Sequence, residues 1–293
     1  MKKSHIGLLA MAAIIFTGCS AGTSEGKSAD TVYTINTPLE AASALQNIQS
    51  LGGILNNPSL PAIPEVPDLN LSLSSARTHL SPMLAPLSDS VQCQHGSITV
   101  TGDDSLSSGN IDFGMTFSKC EIDALGYIDG SLAVKGYISE SFSEADIDIN
   151  QLTLSTDAFY VYVDMDAYAK MDVNNNSTDL YISVKGTSIA EIKNPYARTE
   201  STIHSFELST VDNKTTLNGK TSISSTIEPC HNGTYEFQTL SPLEMNGTTI
   251  TSGSMQINSV TYEFLSEDVV KVTYESGRKA TVTLSDYNTT TCH

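Results

Sequence analysis

The chain has 293 residues and a formal net charge of −18; it is 39 % hydrophobic, only 16 % charged, and lacks Trp. Such acidity disfavours nucleic acid, whose phosphates must be neutralised by clustered Lys and Arg, and equally disfavours adhesion to anionic lipid headgroups. The apolar content is too high for a disordered chain, and abundant Ser, Thr, Asn and Gly suit strands with one face in water.

Lys2 and Lys3 make a basic start, residues 6–16 form an apolar run too short to span a bilayer, and Phe16-Thr17-Gly18-Cys19 closes it. This pattern resembles the lipobox of bacterial lipoproteins, although Phe16 stands where that family usually has Leu. The resemblance implies removal of residues 1–18 and diacylation of Cys19, which becomes the first residue of the mature chain. Removing two lysines and no acid would take the charge from −18 to −20. Membrane attachment would then come through the acyl chains, at about 0.8 kcal/mol per buried CH₂. Ser20 follows the cysteine, where Asp is the family's usual inner-membrane retention signal; the expected address is the outer membrane of a Gram-negative envelope.

Residues 20–30 are small and polar, a composition for a flexible tether. A helix is predicted from Thr37. Thr37-Pro38-Leu39-Glu40 supplies an N-cap, a Pro in the first helical position and the Glu of a capping box. Leu39, Ala42, Leu45 and Ile48 recur at helical spacing, and Gly52-Gly53 is the expected stop after residue 51. Pro58, Pro61, Pro64 and Pro67 then dictate an extended connector, with a weaker helical pattern over 73–80.

From about residue 91 the period becomes two. Ile111, Phe113, Met115 and Phe117 alternate with polar or small residues, as do Leu132, Val134 and Ile138 after Gly130. Residues 159–172 read as one long strand: Phe159, Val161, Val163, Met165, Ala167, Ala169 and Met171 face one side, and Tyr160, Tyr162, Asp164, Asp166 and Tyr168 the other. Over 146–154 the apolar phase switches from Ile147 and Ile149 to Leu152 and Leu154, predicting a bulge or turn near Asn150-Gln151. Asn174-Asn175-Asn176-Ser177, Asp212-Asn213-Lys214 and Asn218-Gly219 are the expected turns.

The resulting fold class is mainly β: a large antiparallel meander, whether curved sheet, half-barrel or sandwich, with one short N-terminal amphipathic helix. The chain divides into a signal peptide (1–18), a tether (19–36), a helix and Pro-rich connector (37–90) and a β domain (91–293). A faint echo between Cys93-Gln94-His95-Gly96 and Cys230-His231-Asn232-Gly233 suggests submodules 91–227 and 228–293. Four cysteines remain after Cys19. In an oxidising compartment they imply two disulfides, for which Cys93–Cys120 and Cys230–Cys292 are the favoured pairs.

Chemistry-bearing motifs are sparse. The Cys–His neighbours lack the spacing of a closed zinc site, and oxidised cysteines offer no thiolate, so no metal or cofactor is expected. Asp172 to Asn176 begins like a calcium loop, but Ser177 and Ser183 replace the Gly and Glu that an EF-hand requires. No nucleophile elbow, penicillin-binding signature or zincin motif occurs, so no catalytic residue is nominated. Tyr160, Tyr162, Asp164, Asp166 and Tyr168 are the candidate ligand-binding residues, because acids beside aromatic rings can hold a cation or stack a sugar. The expected function is a non-enzymatic binding or scaffold module at the envelope, partnered by an envelope protein, glycan or lipid. The alternatives are a carrier of lipid or another hydrophobic ligand with a half-barrel fold, and a carbohydrate- or calcium-binding surface protein. A transmembrane barrel is disfavoured by the missing Trp and sparse aromatic girdles.

Overall fold

The computed structural model describes residues 31–56, 93–103, 109–122, 126–139, 141–173, 178–194, 196–212, 214–226, 232–246 and 249–286. Cys19, the helical pattern at 73–80, the Asn174–Ser177 turn, Cys230, His231, Cys292 and His293 all lie outside them.

Among the described residues one α-helix, α1 (Pro38–Asn56), precedes thirteen strands. These are β1 (Ser97–Asp103), β2 (Asn110–Ile122), β3 (Gly126–Ile138), β4 (Phe142–Ser155), β5 (Phe159–Val173), β6 (Thr178–Lys193), β7 (Tyr196–Val211), β8 (Lys214–Ser225), β9 (Gly233–Asn246), β10 (Thr249–Ile257), β11 (Val260–Phe264), β12 (Val269–Thr273) and β13 (Lys279–Thr283). They pair in chain order in a single antiparallel sheet that curves but does not close, leaving β1 and β13 as its edges. Among the described residues nothing pairs with the outer sides of β1 and β13, whereas a lipid-spanning barrel pairs all of its backbone groups. The boundary considered at residues 227 and 228 falls between β8 and β9, which pair directly and share one core.

The capping box forms as its chemistry dictates. The Glu40 carboxylate accepts from the Thr37 amide at 3.0 Å, and the Thr37 hydroxyl accepts from the Glu40 amide at 3.2 Å. Ala42, Leu45 and Ile48 are buried with Ala41 and Ala44, the stripe that the periodicity predicts; Leu39, at its start, is half-buried. The helix runs through Gly52-Gly53 to Asn56 instead of stopping there. A helical Gly costs about 1 kcal/mol relative to Ala, a penalty that an established helix absorbs.

The sheet has one dry face. Reading the register from β2 to β11 gives a continuous apolar row: Phe113, Val134, Ile147, Ala167, Val184, Phe206, Gly219, Phe237, Ile257 and Val260. Gly219 explains why Asn218-Gly219 is not the expected turn but lies within β8. A Cβ there would stand 2.7 Å from the Phe237 ring, so glycine opens the slot in which Phe206 and Phe237 meet, their centroids 6.2 Å apart.

Bulges keep this row in phase. Between β4 and β5 the register slips between Ile149 and Leu152, and Gln151 sits at φ +49°, the position predicted from the phase switch. Pro242 lies inside β9, where the β9–β10 register is repeatedly shifted and a missing amide is tolerated.

Helix α1 covers the dry face over the C-terminal strands. The Tyr262 hydroxyl donates to the Ala41 carbonyl at 3.2 Å, Asn47 donates to the Tyr235 hydroxyl at 3.3 Å, and Tyr33 stacks on Tyr235 at 4.8 Å. Arg278, beside β13, donates to the Asn36 carbonyl and lies over the Tyr274 ring. At the opposite edge the predicted Cys93–Cys120 disulfide joins the entry of β1 to β2 across a sequence separation of 27, with Cα atoms 5.1 Å apart. Closing a loop of this size contributes roughly 3 kcal/mol on the chain-entropy model.

Candidate functional site

Alternation along β4 to β7 places a second set of rows on the hydrated face. One row brings together Asp112, Lys135, Asp146, Tyr168, Ser183, Glu207 and Asn218; the next sets Asp148 against Asp166, and Asp166 against Lys185. Between them lies an open groove of about 470 Å³ lined by Asp146, Asp148, Asp166, Tyr168, Lys185, His204 and Glu207. A smaller hollow of about 270 Å³, sharing Asp166, Lys185 and His204, adjoins it and reaches Asp164, Thr187 and Thr202.

The five residues nominated from sequence all face this side of β5, but they do not converge on one point. The Tyr162 hydroxyl donates to Asp164 Oδ2 at 3.0 Å, whereas Asp166 Oδ2 lies 3.1 Å from Lys185 Nζ. Tyr168 donates to Glu144 Oε2 at 3.4 Å, and its ring centroid is 6.1 Å from that of Tyr181. Tyr160 stands apart at the start of β5, opposite Ser155 and Glu191. Partial burial, followed by the neighbouring carboxylate, raises the phenol pKa of both Tyr162 and Tyr168. Both rings therefore act as neutral hydrogen-bond donors at neutral pH.

Glu144, Asp148, Tyr181, Lys185 and His204 complete the surface and were not singled out by the sequence. Their alternation is visible there, but which residues they oppose depends on the β4–β5 and β5–β6 registers and, for His204, on the bulges between β6 and β7 and between β7 and β8. His204 Nε2 lies 2.9 Å from Ser222 Oγ. Among the described residues no group of three or more His, Cys, Asp or Glu could hold a metal ion. The Cys93 sulfur is committed to its disulfide, and the neighbouring His95 lies 3.8 Å from Glu121. Chemically this is a hydroxyl- and carboxylate-rich face that can offer hydrogen bonds and two tyrosine rings to a polar ligand.

Fold and face together define, among the described residues, an open meander of antiparallel strands with a helix sealing part of its dry side. Comparison with known proteins found no matching family model, no matching curated protein and no matching solved structure.

Proposed function

We propose that the chain is a lipid-anchored envelope lipoprotein whose β domain is a non-enzymatic binding or scaffold module at the outer membrane. Cys19 carries this reading: it follows the short apolar run of residues 6–16 and precedes eleven small or polar residues suited to a tether, 20–30. Beyond them, Tyr33 donates its amide to the Thr234 carbonyl at 3.0 Å, so the chain enters the sheet beside β9. The anchor would act through acyl chains, and the acidic domain would stay in the aqueous phase.

The dry face favours a scaffold over a carrier. Leu45, Ile48, Tyr235 and Tyr262 are each fully buried, and α1 touches the sheet through direct hydrogen bonds. The hydrated groove is the surface on which a glycan or another polar envelope partner would rest.

The test is the chemical state of the amino terminus in the exporting host. Labelled palmitate should enter the native chain, and intact mass should show a mature protein beginning at an acylated Cys19. Cys19→Ser should abolish both. A native chain that keeps residues 1–18 and takes up no label would contradict the anchor. Stoichiometric lipid retained by the delipidated domain in native mass spectrometry would favour the carrier instead.

A further inference from the structure

The two edges of the sheet differ in how they meet solvent. β13 is five residues long, begins with Lys279, contacts α1 and runs directly into a 3-10 turn at Leu284–Asp286. Short length, an edge Lys and a covering element are the devices that stop a strand from recruiting another chain. Among the described residues β1 has none of them. It spans seven residues, Ser97 to Gly102 carry no charge or Pro, and on its outer side no strand pairs with it among the described residues.

The dry face beside β1 is also incompletely covered. Ile98 and Val100 pair with Phe117 and Met115, and all four are half-exposed, in contrast to the sealed strands under α1. The edge is nevertheless held in place. The disulfide pins its entry, and backbone bonds from Gln94 to Glu121 and from Glu121 to His95 extend the ladder beyond the strand. An edge so fixed loses little further entropy on pairing.

We propose that β1 is a self-association edge, through which a second copy of this chain adds its own β1 antiparallel about a two-fold axis at Thr99. The sequence is self-complementary in that register. Ser97 faces Thr101 of the other copy, Thr99 faces Thr99, and Ile98 faces Val100, so hydroxyls meet on the hydrated side and aliphatic groups on the dry side. No like charges meet within the paired segment. Because β13 is guarded, the assembly stops at two copies and does not propagate head to tail into a fibre. A contact of about seven residues a side is small, so the dimer is expected to dissociate in the micromolar range or above. This inference does not depend on the lipid anchor.

Three variants of the full chain, produced by export, test it. Thr99→Cys brings two sulfurs face to face and should give a reducible band at twice the monomer mass on non-reducing electrophoresis. Thr281→Cys, on the exposed face of β13, and the unmodified chain should not. In sedimentation at about 100 μM the native chain should contain dimer, and Thr99→Lys, which sets like charges opposite one another, should weaken it at least tenfold with an unchanged melting temperature. The proposal fails if the native chain sediments only as monomer, if Thr99→Lys leaves the dimer intact, or if Thr281→Cys crosslinks as well as Thr99→Cys.

Discussion

Strands β9 to β12 bury Tyr235, Met255, Ile257, Val260, Tyr262, Val270 and Val272 almost completely beneath α1. By contrast, β1 and β2 leave Ile98, Val100, Phe113, Met115 and Phe117 half-exposed on the same dry face. The sheet is continuous, so the difference does not come from the strands' own pattern, which is equally apolar in both regions. It comes from where the helix sits. The C-terminal strands are sealed by tertiary packing; the N-terminal pair holds its edge with a covalent staple. Stability should therefore be graded across one sheet.

High pH should expose the contrast most strongly. Burial raises the phenols of Tyr33, Tyr235 and Tyr262, with Tyr33 pushed up to about 12 from the ordinary 10.0. These are groups whose folded values lie above their unfolded ones. Their contribution is fully present below pH 10 and is lost as pH rises toward and beyond about 12. Alkaline unfolding should begin under α1, with these three rings ionising only as the helix detaches. Ultraviolet titration followed beside circular dichroism would show it; ionisation of all the tyrosines well before any loss of structure would break the comparison.

Truncations on the two sides should differ next. Leu45→Ala removes a side chain fully buried between helix and sheet and should cost about 2–5 kcal/mol, read by urea unfolding. Phe113→Ala, on the half-open side, should cost roughly 1–2 kcal/mol, since less apolar area leaves the protein interior. Equal costs would mean that the helix does not grade the sheet. The smallest effect is expected at the cap, where Thr37→Ala should cost about 1 kcal/mol while Thr37→Ser should be nearly silent.

Much of this architecture was legible in the chain because it depends on local chemistry. The capping box at Thr37 and Glu40, the long alternating strand at 159–172 and the bulge at Gln151 all follow from near neighbours. Gly52-Gly53 and Asn218-Gly219 were read as a stop and a turn because glycine permits both. In the folded chain the helix simply continues through the first pair, and the second is decided by distant partners: Gly219 makes room for rings from β7 and β9. The candidate surface was half legible for the same reason. Tyr162 and Asp164 are neighbours on one strand, but the pairing of Asp166 with Lys185 depends on how β5 and β6 align across their hairpin.

The most direct test of a sheet sealed at one side and open at the other is residue-resolved hydrogen exchange on the native chain. Amides around Tyr235, Met255, Ile257, Tyr262 and Val270 should exchange only through global unfolding, and those of Ser97–Asp103 should be among the fastest in the sheet at concentrations too low for self-association. Protection that is uniform from β1 to β12, or greatest in β1 and β2, would contradict the account.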